Sequence, residues 1–185
     1  MKQANRPASW NNKVRFSFLL FIFSLLTVTL SFASPVEDPG VSEEEFPELA
    51  DIRGMVETGQ PDGVVFLVMD HDIEAYYWVL PRLERYVRML REEWPQLPMA
   101  VLSHGDEIFS LLARNEPEYP SFHQRLRDLV STYELDVQVC GAYASMSGVD
   151  ETEFADFVDV VPSAPSQVTD YRHMGYQVVS LEPMW

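Results

Sequence analysis

Short apolar runs alternate with longer stretches of helical spacing from residue 63 onward. The short runs are rich in β-branched residues, which is typical of buried strands, and the longer stretches repeat apolar residues every three or four positions, which is typical of helices. Strands and helices that alternate in this way form βα units and a parallel sheet. The pattern therefore predicts an α/β domain with helices on both faces of a mainly parallel sheet. About five strands are expected, at residues 64–69, 99–103, 136–140, 157–161 and 176–181.

The longest helical stretch runs from Tyr76 to Trp94 and carries one apolar stripe. Pro81 is predicted to kink this helix or to mark its start. Its aromatic residues lie on more than one face, which favours either burial on both sides or a subunit interface. Residues outside the stripe are expected at the surface, and they include Arg82, Arg85, Arg88 and Arg91.

Three shorter helices are predicted farther along the chain. The first runs from Glu107 to Ala113 with Asp106 as its cap, and the second follows Ser121 as its cap. The third lies near residues 165–174, where Gly175 is expected to close it.

The first 33 residues have the pattern of a secretory signal peptide. They carry four of the chain's 13 basic residues, none of its 29 acidic residues, and an apolar run from Phe16 to Leu30. Ser31 and Ala33 supply small residues before a cut near Ser34. This predicts a periplasmic or secreted protein with no stable membrane insertion after cleavage, and an uncleaved amino-terminal anchor is the alternative.

Residues 34–60 are rich in proline, glycine and acidic side chains, so we interpret them as an acidic flexible leader. Residues 61–185 then form one α/β domain. The formal net charge of the whole chain is −16, which disfavours nucleic acid and anionic membrane surfaces as partners.

The chain's single cysteine, Cys140, ends the third predicted strand, and His104 and His71 follow the second and the first. Parallel strands place these ends at one edge of the sheet, where α/β proteins bind and react. One cysteine cannot form a disulfide within the chain, so Cys140 is buried and inert, paired with another chain, or reactive. A helix that starts near Ala142 would point backbone amides at its sulfur.

The histidines also have structural interpretations. His104 could satisfy backbone groups of its turn, and His71, between Asp70 and Asp72, is expected in a solvated loop. His123 and His173 fall on helical patterns and are expected at the surface. No two of His71, His104 and Cys140 are close enough in sequence to resemble a zinc-ligand pattern, so we predict no metal and no cofactor.

Four segments resemble the DsrE/DsrF-like family. The most specific is Cys140–Val149 after the strand Leu135–Val139, in which a cysteine-glycine pair ends a strand and a glycine-aliphatic pair follows. Val101–Gly105 is similar to the family's second strand and histidine-glycine turn, Asp159–Ala164 to its fourth strand and turn, and Gly175–Val179 to its closing strand. The resemblance covers residues 63–181 in the same order.

Members of that family are three-layer α/β/α domains that assemble as dimers, trimers or hexamers, and the best understood are cytoplasmic sulfur carriers. The resemblance implies that Cys140 accepts sulfur as a persulfide and that His104 orients or protonates it. The remaining edge residues, His71, Gly105, Gly141 and Ser163, are expected to bind the substrate. Asp106 and Glu107 replace the glycine or small apolar residues of many relatives and bring negative charge near the thiol.

Two functions follow from this sequence. The first is an exported sulfur carrier, similar to a sulfurtransferase if active, that forms a homo-oligomer and exchanges sulfur with a donor or acceptor protein. The second is a non-catalytic oligomeric α/β module that binds a small ligand or a protein partner at the same edge, with Cys140 merely packed.

Overall fold

The computed structural model describes residues 46–183, so the predicted signal peptide and the first part of the leader lie outside the described residues. The elements are α1 (Glu48–Thr58), β1 (Gly63–Val68), α2 (Tyr76–Glu93), β2 (Met99–Ser103), α3 (Pro120–Tyr133), β3 (Leu135–Cys140), α4 (Gly141–Met146), β4 (Val158–Val161), α5 (Ala164–His173) and β5 (Tyr176–Leu181). Short 3₁₀ segments span Asp106–Leu111, Ala113–Asn115 and Glu151–Glu153.

The five strands form one parallel sheet in the order β4-β3-β2-β1-β5. Central strands β1 and β2 are apolar along nearly their whole length because helices cover both of their faces. All carboxyl ends meet at one edge, so the predicted α/β architecture is confirmed.

Alternate residues of each strand belong to two separate cores. Val64, Phe66 and Val68 of β1 join the core formed with α1, α2 and α3. Val65 faces the opposite side and packs in a smaller core with α5. The side chains of this smaller core are Val65, Ala100, Leu102, Cys140, Val161, Ala164, Val168 and Tyr171.

Helix α1 lies within the segment that the sequence predicted to be a flexible leader. Leu49, Ile52 and Met55, spaced three residues apart, are buried on one face of this helix. The flanking proline and acidic residues hid this pattern, because three apolar positions among polar ones are a weak periodic signal. Within the described residues, no helix is both long and apolar enough to cross a membrane.

The structure also differs from expectation on α2. Arg82 is only 5% exposed, although it lies outside the apolar stripe, because it pairs with Glu48 of α1. Pro81 lies inside the helix rather than at its start. Most of the aromatic side chains of α2 pack within the chain, and Tyr77 is the most exposed of them at 59%.

Three further local expectations need correction. His123 is buried rather than exposed, with its Nε2 atom 3.0 Å from the carbonyl oxygen of Ser110 and its ring edge-on to Phe157. Neither Asp106 nor Ser121 caps a helix, because the 3₁₀ segment follows Gly105 and α3 starts at Pro120. Sequence periodicity shows a helix but not the loop that covers its polar face, which is why His123 was misplaced.

Candidate functional site

Parallel pairing gives His104 and Cys140 neighbouring positions along the backbone at the ends of β2 and β3. Ser103 of β2 is in register with Val139 of β3, and His104 and Cys140 are the next residues on the two strands. Cys140 is also in register with Val161 of β4, two residues before Ser163. The carboxyl edge therefore carries the backbone positions of Cys140, His104 and Ser163. The sequence predicted Cys140, His104 and His71 at this edge.

The Cys140 side chain is fully buried. Its Sγ atom accepts a hydrogen bond from the backbone N–H of Ala164, the first residue of α5, at 3.4 Å. A thiolate, which is the nucleophilic form of cysteine, accepts this kind of contact at a helix N-terminus. The helix whose amide contacts the sulfur is thus α5, whereas the sequence predicted the helix that follows Cys140 directly.

His104 is half-buried, and its ring lies edge-on to that of Tyr143 with 5.7 Å between the ring centroids. Its Nδ1 atom is buried and has no hydrogen-bond partner in the described part of the chain. Burial lowers the pKa of His104 below its usual value of 6.5, so the imidazole is neutral at neutral pH. A neutral imidazole can accept a proton, which is the role that a reacting thiol requires of a neighbouring base.

Tyr143 ties the short helix α4 to the turn that follows β2. Its hydroxyl donates a hydrogen bond to Oδ1 of Asp106 at 2.6 Å, and this bond raises the pKa of the tyrosine above its usual value. Its ring also stacks on Phe109 at a centroid distance of 6.0 Å. The sequence pattern around Tyr143 indicated no role for it, because only the fold shows that its ring reaches both His104 and this turn.

Glu107 occupies the buried interior of the same turn. Its carboxylate accepts hydrogen bonds from the backbone N–H groups of Asp70, His104 and Gly105, each at 2.9 Å. The sequence predicted that Asp106 and Glu107 bring negative charge near the thiol. In the structure the Asp106 carboxylate accepts a hydrogen bond from Tyr143, and the Glu107 carboxylate accepts from backbone amides. The sequence offered one signal that Glu107 is buried, which is its position next to the apolar residues Ile108 and Leu111.

The two glycines of the site allow close backbone contacts. A Cβ atom on Gly105 would lie 2.1 Å from the carbonyl oxygen of Asp70, and one on Gly141 would lie 3.0 Å from that of Val161. A surface groove of about 570 Å³ begins at Gly141, the residue that follows Cys140. It is lined by Gly141, Ala142, Ala144, Ser145, Gly148, Val149, Asp150, Glu151, Val160 and Pro162.

The other predicted binding residues are placed differently. Ser163 precedes α5, is half-exposed, and its side chain makes no capping hydrogen bond. His71 is exposed in the turn after β1, and among the described residues its side chain has no hydrogen bond or ion pair that would join it to Cys140 or His104. Within residues 46–183, no three His, Cys, Asp or Glu side chains are grouped so that they could hold a metal ion.

The contact between Tyr143 and Asp106 yields a prediction about access to the thiol. In Tyr143→Phe, we expect Cys140 of the native protein to react roughly fivefold faster with a soluble alkylating agent, because loss of about 1 kcal/mol of hydrogen bonding favours local opening of α4. Tyr119→Phe is the control, since within residues 46–183 the Tyr119 hydroxyl forms a hydrogen bond only with Glu118, at 3.4 Å. Equal labelling rates in Tyr143→Phe and the wild type would contradict the prediction.

The fold and the site together define a parallel α/β/α domain with one buried thiol at the carboxyl edge of its sheet. The model of the DsrE/DsrF-like family matches residues 85–181, slightly more than half of the chain. The chain therefore belongs to the DsrE/DsrF-like family, and the resemblance noted in the sequence is confirmed. This family is associated with sulfur relay. No curated protein is similar enough to match the chain.

Two solved structures illustrate what this chain is similar to. Protein MTH1491 from Methanobacterium thermoautotrophicum, a protein of unknown function, is 17% identical with a TM-score of 0.52 over 64% of this chain and 97% of its own. The ychN protein from E. coli is 15% identical with a TM-score of 0.46, and the match covers 64% of this chain and 99% of that protein. The first similarity supports the α/β fold, and neither assigns a function.

Proposed function

We propose that this protein is an exported sulfur carrier that accepts sulfane sulfur on Cys140 and passes it to another molecule. The proposal is supported by the pairing of β2 with β3, because His104 directly follows β2 and Cys140 ends β3, and by the contact of the Cys140 sulfur with the N-terminus of α5. Burial of His104, which lowers its pKa, supports a neutral imidazole there. Persulfidation is a reversible modification of a reactive thiolate. Membership of a family associated with sulfur relay supports the same chemistry.

The acceptance step conserves atoms and electrons. The Cys140 sulfur attacks the outer sulfur of a polysulfide or persulfide donor, a new S–S bond forms, and the S–S bond of the donor breaks. The donor's inner sulfur leaves with the electron pair as a thiolate. The proton of the Cys140 thiol passes to His104 and then to that thiolate. One thiol and one persulfide are exchanged for another such pair, so no further oxidant is needed.

The lone cysteine also determines how the sulfur can leave. A second cysteine in the chain could displace the persulfide as hydrogen sulfide and form an internal disulfide, but the sequence contains only Cys140. The loaded sulfur must therefore go to a thiol or another nucleophile on a different molecule. This favours a carrier over an enzyme that completes a reaction alone, and a donor or acceptor protein is the expected partner.

Burial of Cys140 favours a second candidate function, the non-catalytic module in which the thiol is only packed. In that case the edge binds a ligand or protein partner without covalent chemistry. The two functions differ in whether the thiol of the native protein can be reached by a sulfur donor.

Intact-mass spectrometry before and after incubation with polysulfide tests the proposal. We expect a mass gain of one or more sulfur atoms that a reductant reverses, and complete loss of this gain in Cys140→Ser. Thermal unfolding should show that the variant is folded but somewhat less stable, by about 1–3 kcal/mol, because the serine hydroxyl can accept the N–H of Ala164 but is buried in an apolar core. A folded wild type that gains no sulfur, while its denatured thiol reacts readily, would support the packed thiol instead.

Export and oligomerisation belong to the same proposal. The basic and apolar pattern of residues 1–33 is the support for export, and the mass of the protein purified from its native host would report the cut near Ser34.

For homo-oligomerisation the support is family membership, and light scattering after size exclusion is the measurement. A monomer would contradict that part of the proposal.

A further inference from the structure

The Glu107 carboxylate joins the ends of two strands without a positively charged partner. Its Oε1 atom accepts from His104 and Gly105 in the turn after β2, and Oε2 accepts from Asp70 after β1. The side chain is fully buried, and among the described residues it forms no ion pair. Backbone dipoles alone therefore stabilise its negative charge.

The groups around Glu107 are neutral or acidic. The Asp70 side chain accepts from the Trp78 indole at 3.2 Å, and the Asp106 side chain accepts from Tyr143. The Tyr76 hydroxyl, on the α2 side, is hydrogen-bonded to Ser103 at 2.8 Å. His104, the remaining titratable group of this turn, is neutral because burial lowers its pKa.

We propose that Glu107 is a positioning residue of the Cys140 site: its ionised carboxylate holds the turn that orients His104 beside Cys140, and its protonation releases that turn. The inference deepens the proposed function and rests on it for the effect on sulfur acceptance. The position of His104 can nevertheless be measured without any sulfur chemistry.

Protonation changes the three hydrogen bonds directly. A carboxylate offers lone pairs on both oxygens, whereas the protonated acid carries an O–H on one of them and accepts more weakly there. At least one of the two strand-end contacts is then weakened. Burial raises the pKa of Glu107 to about 7, and hydrogen bonds from backbone amides oppose that rise only in part. The change thus falls within the neutral pH range.

The first test uses nuclear magnetic resonance on Cys140→Ser, which cannot carry sulfur. We expect the amide signals of Asp70, His104 and Gly105 and the ring signals of His104 to shift together, with a midpoint near the Glu107 pKa of about 7. Glu107→Gln in the same background should abolish this shared transition. Glu92→Gln, which removes an exposed carboxylate on α2 that does not line the groove, should leave it unchanged. Absence of the transition in Cys140→Ser alone would overturn the inference, even if Glu107→Gln failed to fold.

The second test compares sulfur loading at about pH 6 and about pH 8, on either side of the Glu107 pKa of about 7. Glutamine resembles the protonated acid, so Glu107→Gln and the wild type should load at similar rates at the lower pH. At the higher pH the variant should be slower by roughly tenfold, because small displacements of a reacting group have large effects on rate.

The outcomes separate the two proposals. An equal loss of rate at both pH values would show a merely structural role and overturn the inference, and so would faster loading by Glu107→Gln at the higher pH. A wild type that shows the shared transition but never gains sulfur would disprove the proposed function, while the role of Glu107 in positioning His104 would stand.

Discussion

Arg82→Ala is expected to lower the free energy of unfolding by about 3–5 kcal/mol, because it leaves the buried carboxylate of Glu48 without its cation. The Nε atom of Arg82 donates to Oε1 of Glu48 at 2.6 Å, and Nη1 donates to the carbonyl oxygen of Glu182 at 2.8 Å. The guanidinium also lies over the rings of Phe46 and Trp78. One side chain thus joins α1, α2 and the residue that follows β5.

Urea unfolding followed by circular dichroism measures this effect. Arg85→Ala is the matched control, because Arg85 lies on the same helix, is partly exposed, and should change stability by at most about 0.5 kcal/mol. Replacing both partners, as in Glu48→Leu with Arg82→Met, should recover much of the loss, since no buried charge is then left unpaired. Similar stabilities of Arg82→Ala and Arg85→Ala would show that the pair between α1 and α2 contributes little.

Gly105→Ala should also be strongly destabilising, by about 3 kcal/mol, which is the upper end of the usual range for overpacking. The new Cβ atom would lie 2.1 Å from the carbonyl oxygen of Asp70 and 2.7 Å from its nitrogen. These are backbone atoms, which cannot rotate away as the end of a side chain can. Space rather than conformation makes glycine necessary, because the φ of Gly105 is −137° and other residues adopt that value readily.

Gly54→Ala is the control for Gly105→Ala. Gly54 lies inside α1, and an added Cβ atom would meet nothing within 4 Å. Alanine should therefore stabilise that helix by about 0.5–1 kcal/mol. We expect Gly105→Ala also to slow sulfur loading of the protein that remains folded, since the turn it displaces carries His104. A Gly105→Ala protein as stable as the wild type would mean that the turns after β1 and β2 can separate without cost.

Helix α2 shows which features a local sequence pattern can predict and which it cannot. The apolar stripe from Tyr76 to Trp94 was sufficient to predict the helix, because helical periodicity is a local property. The same stripe placed Arg82 at the surface, and this was wrong because α1 covers that side. Helix α1 itself was not predicted, since its three apolar residues are recognised as buried only when the surface that they pack against is known.

The Cys140 site shows the same division. Sequence patterns placed Cys140 and His104 at strand ends, and parallel topology put those ends at one edge of the sheet. Its other members, Tyr143 and Glu107, depend on contacts between residues 37 positions apart, Tyr143 with Asp106 and Glu107 with the amide of Asp70. Such contacts leave no periodic signal in the chain.

The sequence by itself determined the succession of strands and helices from β1 onward, the family, and the position of Cys140 and His104 at strand ends, because these follow from local periodicity and short motifs. The tertiary structure decided that the cysteine is buried against α5, that the Glu107 carboxylate accepts hydrogen bonds from backbone amides of the histidine turn, and that Arg82 is inside the protein. These features arise where segments that are far apart in the chain pack against each other and exclude water from the contact. Burial of a polar group is a property of the whole fold, so the sequence near that group does not reveal it.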